Sequence, residues 1–455
     1  MPIHAHYSRS RDSHEGITMI AKKHTLPTLS LLLTLLLGWN APSAPAIAAE
    51  QTPPAVSAEL VRARGGLGNV LARLEAGEEV RVGYFGGSIT AQNGWRPKTL
   101  AWLKQQYPKA QISEINAAIG GTGSDLGVFR YGRDVLVHRP HLVFVEFAVN
   151  DGGAAPESIY RAMEGIVRQT WAADPTTDLC FVYTIHRGQL ADLAGGNCPR
   201  SASAHETIAQ YYGIPSINMA LRIAQMEAAG ELIFRLDPDQ PSPPTDGTIV
   251  FAPDDCHPHD AGHEIYLQVI ADAWQQIAKS SKPGPHTLGK PFREDNWQRA
   301  TLVPITPEML QGSWQRMDPS EGLGQRFGNR LPELWNGSKP GDTIRFAFQG
   351  TMAGLYDLLG PDGGQVVCTV DGKTGGPRPR FDHYCTYHRL ASLKIASGLE
   401  EGLHSINIEI DGNQPDRSSV LDRVRDEPNF DPAKYDGTNV WAGYLMMIGE
   451  LVSDK

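Results

Sequence analysis

The run HLVFVEFAV, residues 141–149, does most to limit what this chain can fold into. It is apolar along almost its whole length, with no alternation that would leave one face to water. A strand of that kind has to be covered on both faces, as in a parallel sheet with helices above and below. From about residue 55 to 280 its surroundings agree. SAELVRARGGLGNVLARLEAG reads as a leading helix interrupted at its glycines, VRVGYFG as a strand, and RPKTLAWLKQQYP as a helix with Pro97 in its first turn and Pro108 beyond its end. AQISEINAA, DLCFVYTI and PSINM read as further strands. ESIYRAMEGIVRQTW, a segment ending near YYG, LRIAQMEAAG and AGHEIYLQVIADAWQQIAKS read as the helices between and after them. The pattern predicts an α/β three-layer sandwich with a mostly parallel sheet.

The period changes at SKPGPHTLGKP, residues 281–291. Beyond it DTIRFAFQG, GQVVCTVDG, RLASLKIA and HSINIEIDG are short, turn-bounded strand patterns, and NVWAGYLMMIGELVS is a last strand or a short helix. This half predicts an all-β sandwich. At the other end, Lys22 and Lys23 precede LPTLSLLLTLLLGW, and APSAPAIAAE follows with Ala46-Ile47-Ala48 as a cleavage site. These are the three regions of a secretory signal, and the apolar core is short for a membrane span. Met19 is an alternative start. The expected organisation is a signal peptide over 1–48, a catalytic domain over 55–282 and an accessory β domain over 290–455, with the product secreted or periplasmic.

The formal charge is −10, and removal of the signal takes it to about −12. With no basic stripe, nucleic acid is excluded as a partner, and no integral membrane span is expected in the mature chain. Oligomeric state is not legible. Cys180, Cys198, Cys256, Cys368 and Cys385 match no metal knuckle. Export allows two local disulfides, Cys180 with Cys198 and Cys368 with Cys385, but a domain this large also tolerates reduced, buried cysteines.

Four segments carry chemistry. In GGSITAQNGW, residues 86–95, Ser88 follows two glycines at a strand's C-terminal end, where an open parallel sheet gathers its ligands. A serine there caps a helix or acts as a nucleophile. NAAIGGTGSDLG places Gly121 after the next strand, and VEFAVND places Asn150 at the end of the most apolar one. Each can offer an N–H donor at the same edge. DDCHPHDAGHEI, residues 254–265, holds Asp254, Asp255, His257, His259, Asp260 and His263. His257, His259 and His263 could ligate a metal, but no HExxH is present and no second cluster completes a shell. A serine hydrolase needs one imidazole as base and one carboxylate to orient it.

In this order the four segments resemble the blocks of the GDSL-like, or SGNH, hydrolase superfamily, over roughly residues 78–280. GGSIT corresponds to the serine block with glycine in place of the name motif's aspartate, and Asp254, Cys256, His257 and Pro258 to the final D-x-x-H-P block. The resemblance implies a flavodoxin-like fold and no metal or organic cofactor. It also implies Ser88, His257 and Asp254 as catalytic residues, and an oxyanion hole from the N–H groups of Ser88 and Gly121 with the Asn150 amide. Asp255 is the competing orienter, but the family register favours Asp254. Ser124, Asp125, Asp151 and Arg96 are rim residues or loop ties.

The second half resembles in outline the accessory sandwich domains of carbohydrate esterases. Trp297, Trp314 and Trp335 offer flat faces to sugar rings, or fill the sandwich core. HYCTYHR, residues 383–389, brings His383 and Tyr387 to the active-site mouth, or braces an interface. Together these features favour O-deacetylation of a polysaccharide or oligosaccharide. The alternatives are a lipase or general esterase, an O-acyltransferase, and a non-catalytic carbohydrate-binding protein. The glycan, the acyl position and any preference for polymer over oligomer cannot be read from the sequence.

Overall fold

The computed structural model describes residues 53–452 except 238, 240, 241 and 243, so the signal segment lies outside the described residues. β1 (Val61–Arg62), β2 (Glu79–Gly86), β3 (Gln111–Asn116), β4 (Leu142–Glu146), β5 (Asp178–Tyr183) and β6 (Ser216–Asn218) form a sheet in the order β1-β6-β5-β4-β2-β3. Every pair is parallel except β1 with β6. Counted alone, the parallel strands run 2-1-3-4-5, the flavodoxin-like order. Helices α1 (Gly68–Ala76), α2 (Ser88–Ala91), α3 (Trp95–Gln106), α4 (Ser124–Asp134) and α5 (Pro156–Ala173) precede α6 (Leu190–Ala194), α7 (Arg200–Tyr212), α8 (Met219–Ala228) and α9 (Asp260–Ser280). A short parallel pair, β7 (Leu232–Ile233) with β8 (Ile249–Val250), lies before α9.

Side chains alternate along the strands between two cores. Phe85, Val143, Val145, Leu179 and Phe181 pack with α4, α5 and α7. Tyr84, Leu142, Phe144, Cys180 and Val182 pack on the other face with α1, α3, α8 and α9. Both faces are dry, which is why these strands read as continuous apolar runs. The expected leading helix differs: only residues after the glycines are helical. Arg64 turns the chain with φ 41, and Arg62 and Arg64 both pair with Glu206 of α7, so the preceding residues serve as an edge strand.

The second half is antiparallel and sandwich-like. Its strands are β9 (Ala300–Pro304), β10 (Leu310–Gln311), β11 (Gln315–Arg316), β12 (Trp335–Gly337), β13 (Thr343–Leu359), β14 (Gln365–Val370), β15 (Lys373–Pro379), β16 (Arg389–Asp411) and β17 (Val440–Val452), with helices α10 (Gly322–Phe327) and α11 (Ser418–Val424) between them. All nine hydrogen-bond into one curled sheet. RLASLKIA and HSINIEIDG are the two ends of the single strand β16. Its pairing with β13 jumps from Ser397 to Gly402, and this looped-out stretch reads in sequence as a break. A register shift in β13 between Gly350 and Met352 likewise changes which side chains face the core: Ile344, Phe346 and Phe348 before it, Ala353 and Leu355 after it. The last segment, left open between strand and helix, is β17. All five cysteines are free.

The two halves share one core. Met352, Tyr356, Leu358, Trp441 and Tyr444 of the antiparallel sheet pack in the same cluster as Phe129 and Tyr131 of α4. Glu164 of α5 holds the connecting segment by accepting the backbone N–H groups of Phe292 and Arg293 at 2.5 and 2.8 Å. The halves should therefore unfold together. Calorimetry of the wild type is expected to give one transition. Phe129→Ala, which empties part of the shared core, should cost about 3–5 kcal/mol and keep the transition single.

Candidate active site

In a 2-1-3-4-5 sheet the chain turns opposite ways after β2 and β4, which leaves a crevice at their C-terminal ends. The serine segment leaves β2 there, and the VND segment leaves β4. Gly87 caps α2, and Ser88 is its first residue, so the Ser88 N–H has no acceptor within the helix. A Cβ on Gly87 would lie 1.9 Å from Asn150 Oδ1. Any larger residue at position 87 would therefore have to displace the Asn150 side chain from its seat. Asn150 opens a 3-10 turn, Asn150–Gly153. From the neighbouring strand, Gly120 approaches Ser88: a Cβ there would sit 3.4 Å from the serine Cβ. Gly121 has φ +73, a conformation that favours glycine, and nothing stands within 4 Å of its Cβ position.

The loop before α9 supplies the other groups. His257 Nε2 lies 2.8 Å from Ser88 Oγ, and His257 Nδ1 lies 2.8 Å from Asp254 Oδ2. A carboxylate only accepts, so Nδ1 carries the proton, and Nε2 is left to accept from the serine hydroxyl. Asp254 Oδ1 also accepts the backbone N–H groups of Cys256 and His257 at 2.8 and 2.6 Å. Partial burial would raise the Asp254 carboxyl, but the hydrogen bonds from His257 and Cys256 outweigh it and hold it below its ordinary value. Such a chain can draw a proton from a serine as it attacks a carbonyl, while the flanking N–H donors face the charge that develops.

Asp255 points elsewhere, within 3.3 Å of Arg235 and 3.6 Å of Arg187. Burial pushes the Cys256 thiol up to about 12, so it is neutral beside the imidazole. The three histidines diverge: His259 caps α9, and the His263 ring packs so closely on Gly94 that a Cβ there would come within 2.2 Å. Among the described residues no group of three His, Cys, Asp or Glu side chains is arranged to hold a metal ion.

The proposed rim residues behave differently from the triad. Arg96 is 6 % exposed, donates to the Thr90 carbonyl at 3.1 Å and pairs with Glu114, so it braces α2 against β3. Asp151 is buried. Its Oδ1 accepts the Ser124 N–H at 2.8 Å, and its Oδ2 meets His205 Nε2 at 2.8 Å. It ties the Gly121 loop to the Asn150 turn and has no free oxygen edge for a sugar. Trp297 is 6 % exposed and packs on Phe129 with ring centres 5.9 Å apart, inside the shared core. Trp314 and Trp335 are half-buried against the core of the antiparallel sheet. His383 and Tyr387 are exposed, but their loop is tied within the second half, where Arg423 donates to the His383 carbonyl and Lys434 to that of Thr386.

One buried group near Ser88 escaped the sequence reading. Glu146, at the end of β4, is 1 % exposed and accepts the hydroxyls of Thr90 and Thr184, each at 2.8 Å. Burial pushes its carboxyl up to about 7 against the partial compensation of those bonds. As the one charged residue in its apolar run, it was the available signal.

Residues 84–265 match the model of the GDSL-like Lipase/Acylhydrolase family. The matched stretch lies within the α/β half and spans the serine turn, the Gly121 loop, the Asn150 turn and the His257 loop. The chain is similar to a two-domain esterase (CEX) active on acetylated mannans, at 21 % identity and TM-score 0.66, over 86 % of this chain and 97 % of that one. That structure was co-crystallized with mannopentaose. A second structure of this esterase gives 20 % identity, TM-score 0.66, and coverage of 86 % and 98 %. The likeness runs through both halves and concerns the fold. No curated protein matches the chain in sequence.

Two expectations follow. Gly87→Ala should displace Asn150 and, on the reading of Asn150 as an oxyanion donor, lower ester turnover by about 100-fold or more, with a small change in melting temperature. The second concerns pH. Glu146 is raised from 4.5 to about 7, so its contribution to stability is full below pH 4.5 and is lost as pH rises through about 7. Glu146→Gln removes that loss. Its melting temperature relative to wild type should climb across this window, whatever constant offset the amide brings.

Proposed function

We propose that this protein is a serine esterase that removes O-acetyl groups from a polysaccharide or its fragments. The observation that carries the reading is the hydrogen-bonded chain Ser88–His257–Asp254 at the sheet edge, flanked by Gly121 and Asn150. His257 takes the proton of Ser88 as Oγ bonds to the ester carbonyl carbon. Asp254 holds the imidazole in the required tautomer and stabilises its cation. The N–H groups of Ser88 and Gly121 and the Asn150 amide receive the oxyanion, each worth about 3–4 kcal/mol in the transition state. The sugar oxygen leaves with the proton from His257. Water then attacks the acetyl-serine, gives its proton to His257, and acetate departs as Ser88 is reprotonated.

The glycan part of the reading is supported by whole-length similarity to an esterase active on acetylated mannans. A polar groove of about 430 Å³ where the halves meet, lined by Ser158, Arg161, Asp295, Lys394 and Ser397 among others, also suits hydroxyl-rich ligands. We further propose that residues 1–48 direct export to the periplasm or medium, and that 55–282 and 290–455 are the catalytic and accessory domains. No helix of the described residues is long and apolar enough to cross a membrane.

The test is acetate release from acetylated mannan, xylan and bacterial polysaccharides by wild type and Ser88→Ala. Release from at least one glycan, reduced by about three orders of magnitude or more in the variant, is expected. Turnover of small activated esters with no release from any glycan would overturn the substrate, and equal release by the variant would overturn the nucleophile.

A further inference from the structure

Glu146 touches the chain on both sides of Ser88. It ends β4 at the crevice, with its side chain enclosed. Oε2 accepts the Thr90 hydroxyl at 2.8 Å from α2, and the nearby Gly87 backbone N–H favours the charged form of this carboxyl. Oε1 accepts the Thr184 hydroxyl at 2.8 Å, from just beyond β5. A Cβ on Gly86 would come within 3.0 Å of Oε2, so strand and carboxylate are in direct contact. An apolar side chain would fill this place without the cost of burying a charge. What the carboxylate adds is a pair of directed bonds, one of which reaches the chain two residues after the serine, while its Oε2 lies against the backbone two residues before it.

We propose that Glu146 is a positioning residue of the nucleophile turn: by holding Thr90 and packing against the backbone at Gly86 from β4, it fixes α2 so that Ser88 Oγ stays aligned with His257 Nε2. This rests on the reading of Ser88 as nucleophile. In the ionised form Glu146 accepts from both threonine hydroxyls. When it is protonated, one oxygen becomes a donor, so the bond to one threonine hydroxyl reverses and both threonine bonds lose their charge assistance. The titratable groups facing it are Asp151 at the same edge, Cys256 on the His257 loop and Tyr266 on α9. The hold on α2 thus weakens as pH falls through about 7, the value to which burial raises this carboxyl.

The test uses the full chain and two readouts, the rate of Ser88 labelling by a fluorophosphonate and kcat and KM for p-nitrophenyl acetate, each as a function of pH. Glu146→Gln and Thr90→Val should both label and turn over about 10- to 100-fold more slowly, with KM within about twofold, as misalignment of a reacting group predicts. The ratio of wild-type to Glu146→Gln activity should rise with pH through about 7. Thr90→Val removes a single arm of the network and carries the test if Glu146→Gln fails to fold. Wild-type labelling rates in Thr90→Val, or in a folded Glu146→Gln, would overturn the proposal. So would slower variants whose pH ratio is flat, which would mark plain structural support. A wild type that does not label would be a different failure, that of the nucleophile reading itself.

Discussion

The 2.8 Å contact between the His257 ring and the Ser88 hydroxyl joins parts of the chain 169 residues apart, and the arrangement of the α/β half serves to keep its two ends together. Neither end is held by the contact itself. Ser88 is carried on a four-residue helix too short to be stable alone, so its orientation comes from what surrounds it. His257 stands on a loop whose shape is set by Asp254, which accepts two backbone N–H groups as well as the ring. The carboxylate that holds the imidazole therefore also folds the segment bearing it. Its low pKa and its orienting role have the same origin.

Two buried carboxylates organise the rest of the crevice from below. Asp151 joins the Gly121 loop, the Asn150 turn and His205 of α7, and Glu146 joins β4, β5 and the serine turn. Each is expensive to bury and each has both oxygens hydrogen-bonded, the condition under which a polar network gives rigidity instead of weakness. Above them, glycines let backbone and side chain approach at distances no other residue allows, as where Asn150 lies over Gly87. The accessory half joins the same structure through the shared core on α4 and through Arg330, which donates to the Ala118 carbonyl at 3.3 Å just ahead of Gly121.

Much of this was legible in the sequence, and the rest was not for identifiable reasons. The parallel strands announced themselves because both their faces are dry, three of the chemical segments because each closes a strand, and the fourth by its density of Asp and His ahead of a helix. Asp151 looked like a rim residue because its partner His205 lies 54 residues away and has no motif. Trp297 looked available to sugar because nothing in its neighbourhood names Phe129, on which it packs. β16 looked like two strands because a looped-out stretch and a true chain reversal use the same residues. Glu146 was visible as a lone charge in an apolar run, but its donors Thr90 and Thr184 come from two distant segments, and only the folded chain assembles them.

The most direct test of the central claim is to catch the covalent intermediate. Wild type mixed rapidly with an activated acetyl ester, quenched in acid and digested should carry one acetyl group on the peptide containing Ser88, and Ser88→Ala should carry none. An acetyl group on another residue, Cys256 above all, or sustained turnover with no acetylated peptide, would contradict the account.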